Sequence, residues 1–503
     1  MLFNSNIFLY CFLPLTCAGY QLVARFGRRA VIGWLALASF VFYGWWNWHF
    51  TFVLVGSMLV NFAISRMIAA QTQARMKKFW MIAGITFDLG ALFFFKYLFH
   101  LLQFSSSIGL GHHKWIDMVL PLGISFFTFT QIAYLIDLAQ GEASPQNLVE
   151  YSLFVTFFPH LIAGPILHHK EMMPQFLEKK AQGLQPDDVL VGISWFVLGL
   201  AKKSILADHF GNRADDIFTM SRTVGTQGAW LGIVLYSLQL YFDFSGYSDM
   251  ANGLARIFSI HFPMNFNSPY KAINIIDFWQ RFHMTLTRYL TLYLYNPISL
   301  AVSRRRLRAG KKVSKKAART VPGFLSMIVW PTMATMFLVG VWHGAGLQFM
   351  IFGLLHGIYL STAHLWRLMR GRSEERQINL LSRVASVLLT YVCVLVAQVF
   401  FRANGTGDAF AYLSGMSGLH GSAWHSPEMR VSSVMLAAVG LVIVWFCPNT
   451  QEILGQADSS IQYRFWSWLA WRPSWGWSVA VAALFSITVL LFIQSSAFLY
   501  FQF

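Results

Sequence analysis

The sequence predicts an all-α protein that crosses a membrane many times. Of its 503 residues 56% are hydrophobic and only 12% charged, and apolar runs close to the ~20 residues needed to span a bilayer recur along the whole chain. A third observation is the 17% aromatic share, with 19 Trp and 18 Tyr, rings that gather where helices meet the membrane surface. A soluble globule is excluded. The formal net charge of +17 does not point to nucleic acid, because no soluble region carries a basic groove interleaved with aromatic residues. It fits orientation among membrane lipids by basic cytoplasmic loops. Cys11, Cys17, Cys393 and Cys447 lie in apolar stretches without metal or redox spacing and read as packing residues.

In chain order, the first run, Ile7 to Ala24, is followed by Arg25, Arg28 and Arg29. A cleaved signal peptide carries its positive charge before its apolar core, so this reads as a retained span with a cytoplasmic basic end. Runs at about 31–49, 51–70, 79–102 and 118–138 follow, and Arg66, Arg75, Lys77 and Lys78 mark a second cytoplasmic turn. The stretch at about 151–167 is apolar but broken by Pro159, Gly164 and Pro165. A broken piece cannot satisfy its backbone against lipid, which predicts a re-entrant segment packed on protein, with His160 and His168 as structural neighbours.

Spans at about 189–207 and 229–256 come next. In the second, Ser245, Asp249, Asn252 and Arg256 fall on one helical face. An ionised group at the centre of a lipid-facing helix costs about 2.5–3.5 kcal/mol on insertion scales. The stripe therefore pairs with another helix or lines a substrate path. From about 276 to 298 the pattern is an amphipathic helix, expected to be re-entrant, with Asp277, Arg281, Thr285 and Arg288 on one face and Trp279, His283, Leu286 and Leu290 on the other. Residues 300–320 carry nine Lys or Arg and no acid. That is a cytoplasmic loop beside anionic headgroups, or a dock for an acidic or phosphate-bearing donor.

The runs Val321–Trp342 and Leu347–Leu368 form a hairpin whose turn holds His343 between Gly340, Gly344 and Gly346. Arg367, Arg370, Arg372 and Arg376 put its far end in the cytoplasm, so the turn points outward. A neutral imidazole exchanges protons near neutral pH without carrying a fixed charge into lipid, which makes His343 a candidate general base; the competing reading is a histidine hydrogen-bonded inside a helix bundle. His283, turned to the interior, either belongs to the same site or is a satisfied core residue. Spans at about 383–401, 432–447 and 476–498 complete 12 crossings with two re-entrant pieces, in one transmembrane domain over 1–503.

Seven segments in order resemble the membrane-bound O-acyltransferase (MBOAT) superfamily, in the bacterial branch of the alginate O-acetylation and teichoic acid D-alanyl transfer proteins. They are FFPHLIAGPI at 157–166, YFDFSGYSDMA with FPMNFNSPY at 262–270, DFWQRFHMTLT at 277–287, GVWHGAGLQFMIFGLLHG at 340–357, VFFRA at 399–403 and FLYFQF at 498–503. The resemblance implies a ring of about 11–12 tilted helices around a funnel, with a tunnel joining a cytoplasmic donor to an outer acceptor. It implies His343 as the central catalytic residue and His283 as the second. Trp342, Trp279, Arg281, Ser245, Asp249 and Asn252 are candidate lining residues. Tyr500, in the terminal motif, is a candidate acyl relay, against an interfacial anchor as the alternative. The implied activity is transfer of an acyl group, foremost acetyl, from acetyl-CoA or an acyl carrier thioester, with no bound cofactor or metal. The acceptor is an exopolysaccharide or cell-wall polymer, reached with a periplasmic acyltransferase- or esterase-like partner of a bacterial inner-membrane protein. The competing classes are a transporter or polymer-export subunit, and an intramembrane lipid or protein acyltransferase.

Overall fold

The computed structural model describes every residue except 99–100, 103–119, 178–182, 371–378, 423–426, 456–463, 492–497 and 500–503. Tyr500 thus lies outside the described residues. The described elements are all helices, and six are long and apolar enough to cross a membrane: Trp48–Ala70, Ala74–Leu98, Pro186–Phe218, Val321–His343, Leu347–Arg370 and Leu380–Arg402. Val431–Phe446 and Trp475–Leu490 are shorter apolar helices. Arg28–Gly44 and Ile124–Gln140, each 17 residues, stand where further spans were expected. The protein is a multi-pass membrane protein.

The chain divides into two compact units. The first comprises Met1–Ile205, Phe244–Pro263 and Trp471–Gln502, and the second holds Leu206–Asp243 and Met264–Ala470. In the first unit the expected broken segment begins as the helix Leu148–Thr156, started by a capping box of Asn147 with Glu150. It stops at Phe157, where Pro159 follows, and resumes for one turn as Phe158–Leu161. His160 is buried there, its Nε2 3.1 Å from the Phe154 carbonyl oxygen.

The polar stripe sits on the 32-residue helix Thr226–Ile257. Between Tyr241 and Ile257 every residue is buried except Asp249 and Arg256, which are half-buried. Both are ion-paired within the first unit. Asp249 takes Lys202 at 2.6 Å and the Trp195 indole N–H at 3.1 Å, and Arg256 meets Asp188 at 2.8 Å. Glycines bring these helices together. A Cβ on Gly199 would lie 2.6 Å from the Gly246 carbonyl oxygen, and one on Gly192 would lie 2.7 Å from that of Gly253. Each pair is spaced by seven residues, so one face of Pro186–Ala201 runs antiparallel along the stripe helix at backbone contact.

In the second unit the expected continuous amphipathic helix over 276–298 does not form. Instead there is a helix Ile275–Trp279, a turn, a helix Met284–Leu290, and, beyond a π-turn at Thr291–Tyr295, the helix Asn296–Arg308. The break falls at His283, whose backbone is left-handed at φ 48° and ψ 54°. Its cause is the segment at 265–267. Asn265 accepts the Met284 N–H on its carbonyl at 2.8 Å, and Asn267 donates its own N–H to the Arg281 carbonyl at 2.9 Å. A partner from elsewhere in the chain thus supplies bonds that a continuous helix would have made with itself. The cations of the basic stretch after it are exposed, save Arg306, which donates to Ser326 Oγ at 2.7 Å.

Candidate active site

His283, His343 and His356 all lie in the second unit. His343 ends the span Val321–His343. Thr320 caps the start of that helix by accepting the Gly323 N–H, with Pro322 in its first turn. The helix stops because Gly344 turns to extended backbone, and the next helix begins at Leu347. Gly340 abuts the Phe349 carbonyl, Gly344 abuts the Phe349 ring and Gly353 abuts the Met336 carbonyl, each closer than any Cβ would permit. The two helices therefore meet backbone to backbone on either side of the turn. Gly340 and Gly344 thus make room for the adjoining helix.

The His343 ring is buried against aromatic faces from three elements. Trp342 lies 4.6 Å away, Phe352 5.7 Å and Phe401 4.9 Å, the last two edge-on. Phe401 comes from the VFFRA motif at the end of Leu380–Arg402, so that short motif serves as a wall of the histidine cage.

Phe352 also touches His356, at 4.7 Å. His356 is 1% exposed, and its Nδ1 accepts the Trp279 indole N–H at 3.2 Å. An indole nitrogen can only donate, so the neutral His356 ring carries its proton on Nε2. The contacts from Trp279 to His356, on to Phe352 and then to His343 tie the FWQRFH segment to the WHG turn. Sequence reasoning assigned His356 no role. The available signal was its spacing, since Phe349, Phe352 and His356 repeat at helical intervals on one face.

His283 is 2% exposed. It lies outside the six spans, and burial pushes its proton affinity down, to a pKa of about 3. Its Nδ1 is 3.0 Å from Asn265 Oδ1. Arg281, two residues earlier, donates to Asp277 at 2.6 Å across one helical turn, and its guanidinium also reaches the Asn267 carbonyl at 3.4 Å. Trp342, Trp279 and Arg281 are therefore gathered with the histidines in one unit. Ser245, Asp249 and Asn252 belong to the other unit, where Asp249 is ion-paired and Ser245 and Asn252 are buried.

A many-span helical body with buried imidazoles on a glycine hairpin defines a class, the polytopic membrane proteins that hold proton-exchanging side chains within their helices. Comparison with known proteins names it: the chain belongs to the MBOAT, membrane-bound O-acyltransferase family, whose pattern matches residues 124–311. It is similar to a peptidoglycan O-acetyltransferase of Helicobacter pylori, 34% identical with 100% of this chain and 98% of the relative covered. It is similar also to the probable alginate O-acetylase AlgI of Pseudomonas aeruginosa, 32% identical over 100% of both chains. A teichoic acid D-alanyltransferase of Bacillus subtilis is 26% identical over 58% of this chain and 71% of its own. The protein is an acyltransferase.

Proposed function

We propose that this enzyme O-acetylates a cell-wall or extracellular polysaccharide, taking the acetyl group from a cytoplasmic thioester and passing it across the bacterial inner membrane. The observation that carries the reading is full-length similarity to relatives named for peptidoglycan and for alginate. In this reading His343 is the general base. It takes the proton of the attacking hydroxyl as the new C–O bond forms at the thioester carbonyl. The C–S bond then breaks, and the imidazolium returns its proton to the leaving thiolate. His283 supports the same centre from the neighbouring turn, by orienting the attacking group. The exposed cations of 304–319 offer phosphate-bearing donors such as acetyl-CoA a place to dock. A periplasmic acyltransferase partner completes delivery to the polymer.

The test is the base-labile acetyl content of the cell's polysaccharides in a strain whose only copy carries His343→Ala. Acetate release falls to the level of the deletion strain while membrane-inserted protein is unchanged. Undiminished acetylation would defeat the assignment. Labelled acetyl found in extracted lipid, with none in polymer, would redirect it to a lipid acceptor.

A further inference from the structure

One oxygen accepts three bonds at the break before Met284–Leu290. Asn265 Oδ1 lies 3.0 Å from His283 Nδ1, 3.3 Å from the Thr285 backbone nitrogen and 2.8 Å from the Thr285 hydroxyl. Asn265 is itself 2% exposed. An asparagine's oxygen and nitrogen are assigned from the groups around them. Here a backbone N–H, which can only donate, settles the choice, because an NH2 in that place would set donor against donor. The atom facing His283 is therefore the oxygen, and the ring nitrogen opposite it has to donate.

From this we infer that Asn265 is a positioning residue that holds His283 in the Nδ1–H tautomer and so makes Nε2 the nitrogen with the lone pair. The inference rests on the acyl-transfer reading only for the use to which that lone pair is put. The clamp is stiff for a physical reason. His283 occupies a left-handed backbone conformation that ordinary side chains avoid, which persists only where the surroundings over-determine it. Asn265 supplies that constraint twice, by its carbonyl to the Met284 N–H and by its side chain to the ring and to Thr285. The far side of the segment is pinned as well, since Asn449 donates to Asn267 Oδ1 at 3.3 Å and Ser268 Oγ at 3.0 Å. Turn, ring angle and tautomer are thereby set together. Only one imidazole nitrogen is left as a base or as an acceptor for a substrate hydroxyl.

Nitrogen NMR of the full-length protein in lipid nanodiscs, with isotope-labelled histidine, reads the tautomer directly. The His283 signal is identified by its loss in His283→Gln. Wild type should show Nδ1–H; Asn265→Leu should convert it to Nε2–H or a mixture. A wild-type Nε2–H ring overturns the inference even if Asn265→Leu does not fold, and so does an Nδ1–H ring that persists in Asn265→Leu. In polymer acetylation Asn265→Leu should lower kcat about 10- to 100-fold, the usual cost of losing a supporting partner, with KM little changed. Asn265→Asp keeps the acceptor and should restore most of that rate. Its carboxylate favours the imidazolium, so the acidic limb of its pH profile should move upward by about 1–3 units. An unmoved limb overturns the positioning role, because a merely structural asparagine predicts none. Full acetylation by His283→Gln beside an Nδ1–H ring would overturn the catalytic use of this nitrogen and leave the tautomer standing.

Discussion

Two regions of this protein hold polar groups inside an apolar helical body, and they do so by different physics. On the stripe helix, Asp249 and Arg256 are closed by opposite charges on the helix they pack against, Lys202 at 2.6 Å and Asp188 at 2.8 Å. Around the histidines the partners described above are neutral: an asparagine oxygen for His283, an indole N–H for His356, aromatic faces for His343. Ion pairs neutralise a charge but hold their nitrogens protonated, with no lone pair to take a proton. Neutral directed bonds select a tautomer, and aromatic walls fix a ring without ionising it. The first arrangement suits architecture and the second suits proton transfer.

Breaking the comparison at its strongest point means removing the imidazole proposed as the base. His343→Gln should lower polymer acetylation about 100- to 10,000-fold, the range supplied by a positioned general base, with the melting temperature within a few degrees of wild type. Next in size is Asp249→Leu, which strands a half-buried ammonium and should cost about 3–5 kcal/mol of stability, seen as loss of membrane-inserted protein or a lower Tm. The pair Lys202→Met with Asp249→Leu should recover most of that loss and retain acetylation. A stable double variant without activity would show that Asp249 lines the substrate path after all. Gly199→Leu drives a side chain into the Gly246 carbonyl and should cost about 1–3 kcal/mol, read as a lower Tm with kcat of the surviving enzyme unchanged. Of the same size in stability is Trp279→Phe, which removes the donor from His356 at a cost of about 1–3 kcal/mol. It should lower kcat only several-fold, and an unchanged rate would separate His356 from the working site.

Much of the architecture was legible from hydropathy alone. The two arms of the His343 hairpin, expected at Val321–Trp342 and Leu347–Leu368, are the helices Val321–His343 and Leu347–Arg370. The requirement that the Ser245–Arg256 stripe find partners held, because lipid offers an ion none. The interruption near Pro159 was visible in its prolines. The error at 276–298 has a definite origin. Helical periodicity assumes that a segment makes its hydrogen bonds with itself, and it correctly set Arg281 one turn from Asp277. It could not register that Asn265, 18 residues before His283, would take over the bonds at the break. His356 escaped for a related reason: a histidine on an apolar helix face looks like core until its indole partner is seen.

By itself, the chain's order of apolar and polar residues determined a helical membrane protein and the placement of its main spans. These follow from local rules, since a helix satisfies its own backbone and a bilayer demands a fixed apolar length. Only the tertiary structure decided which polar groups neutralise each other, where the helix before Met284 yields to a left-handed turn, and which nitrogen of His283 keeps its proton. Those outcomes depend on oxygens and N–H groups brought together from distant parts of the chain, and directed bonds of a few ångströms leave no trace in sequence periodicity.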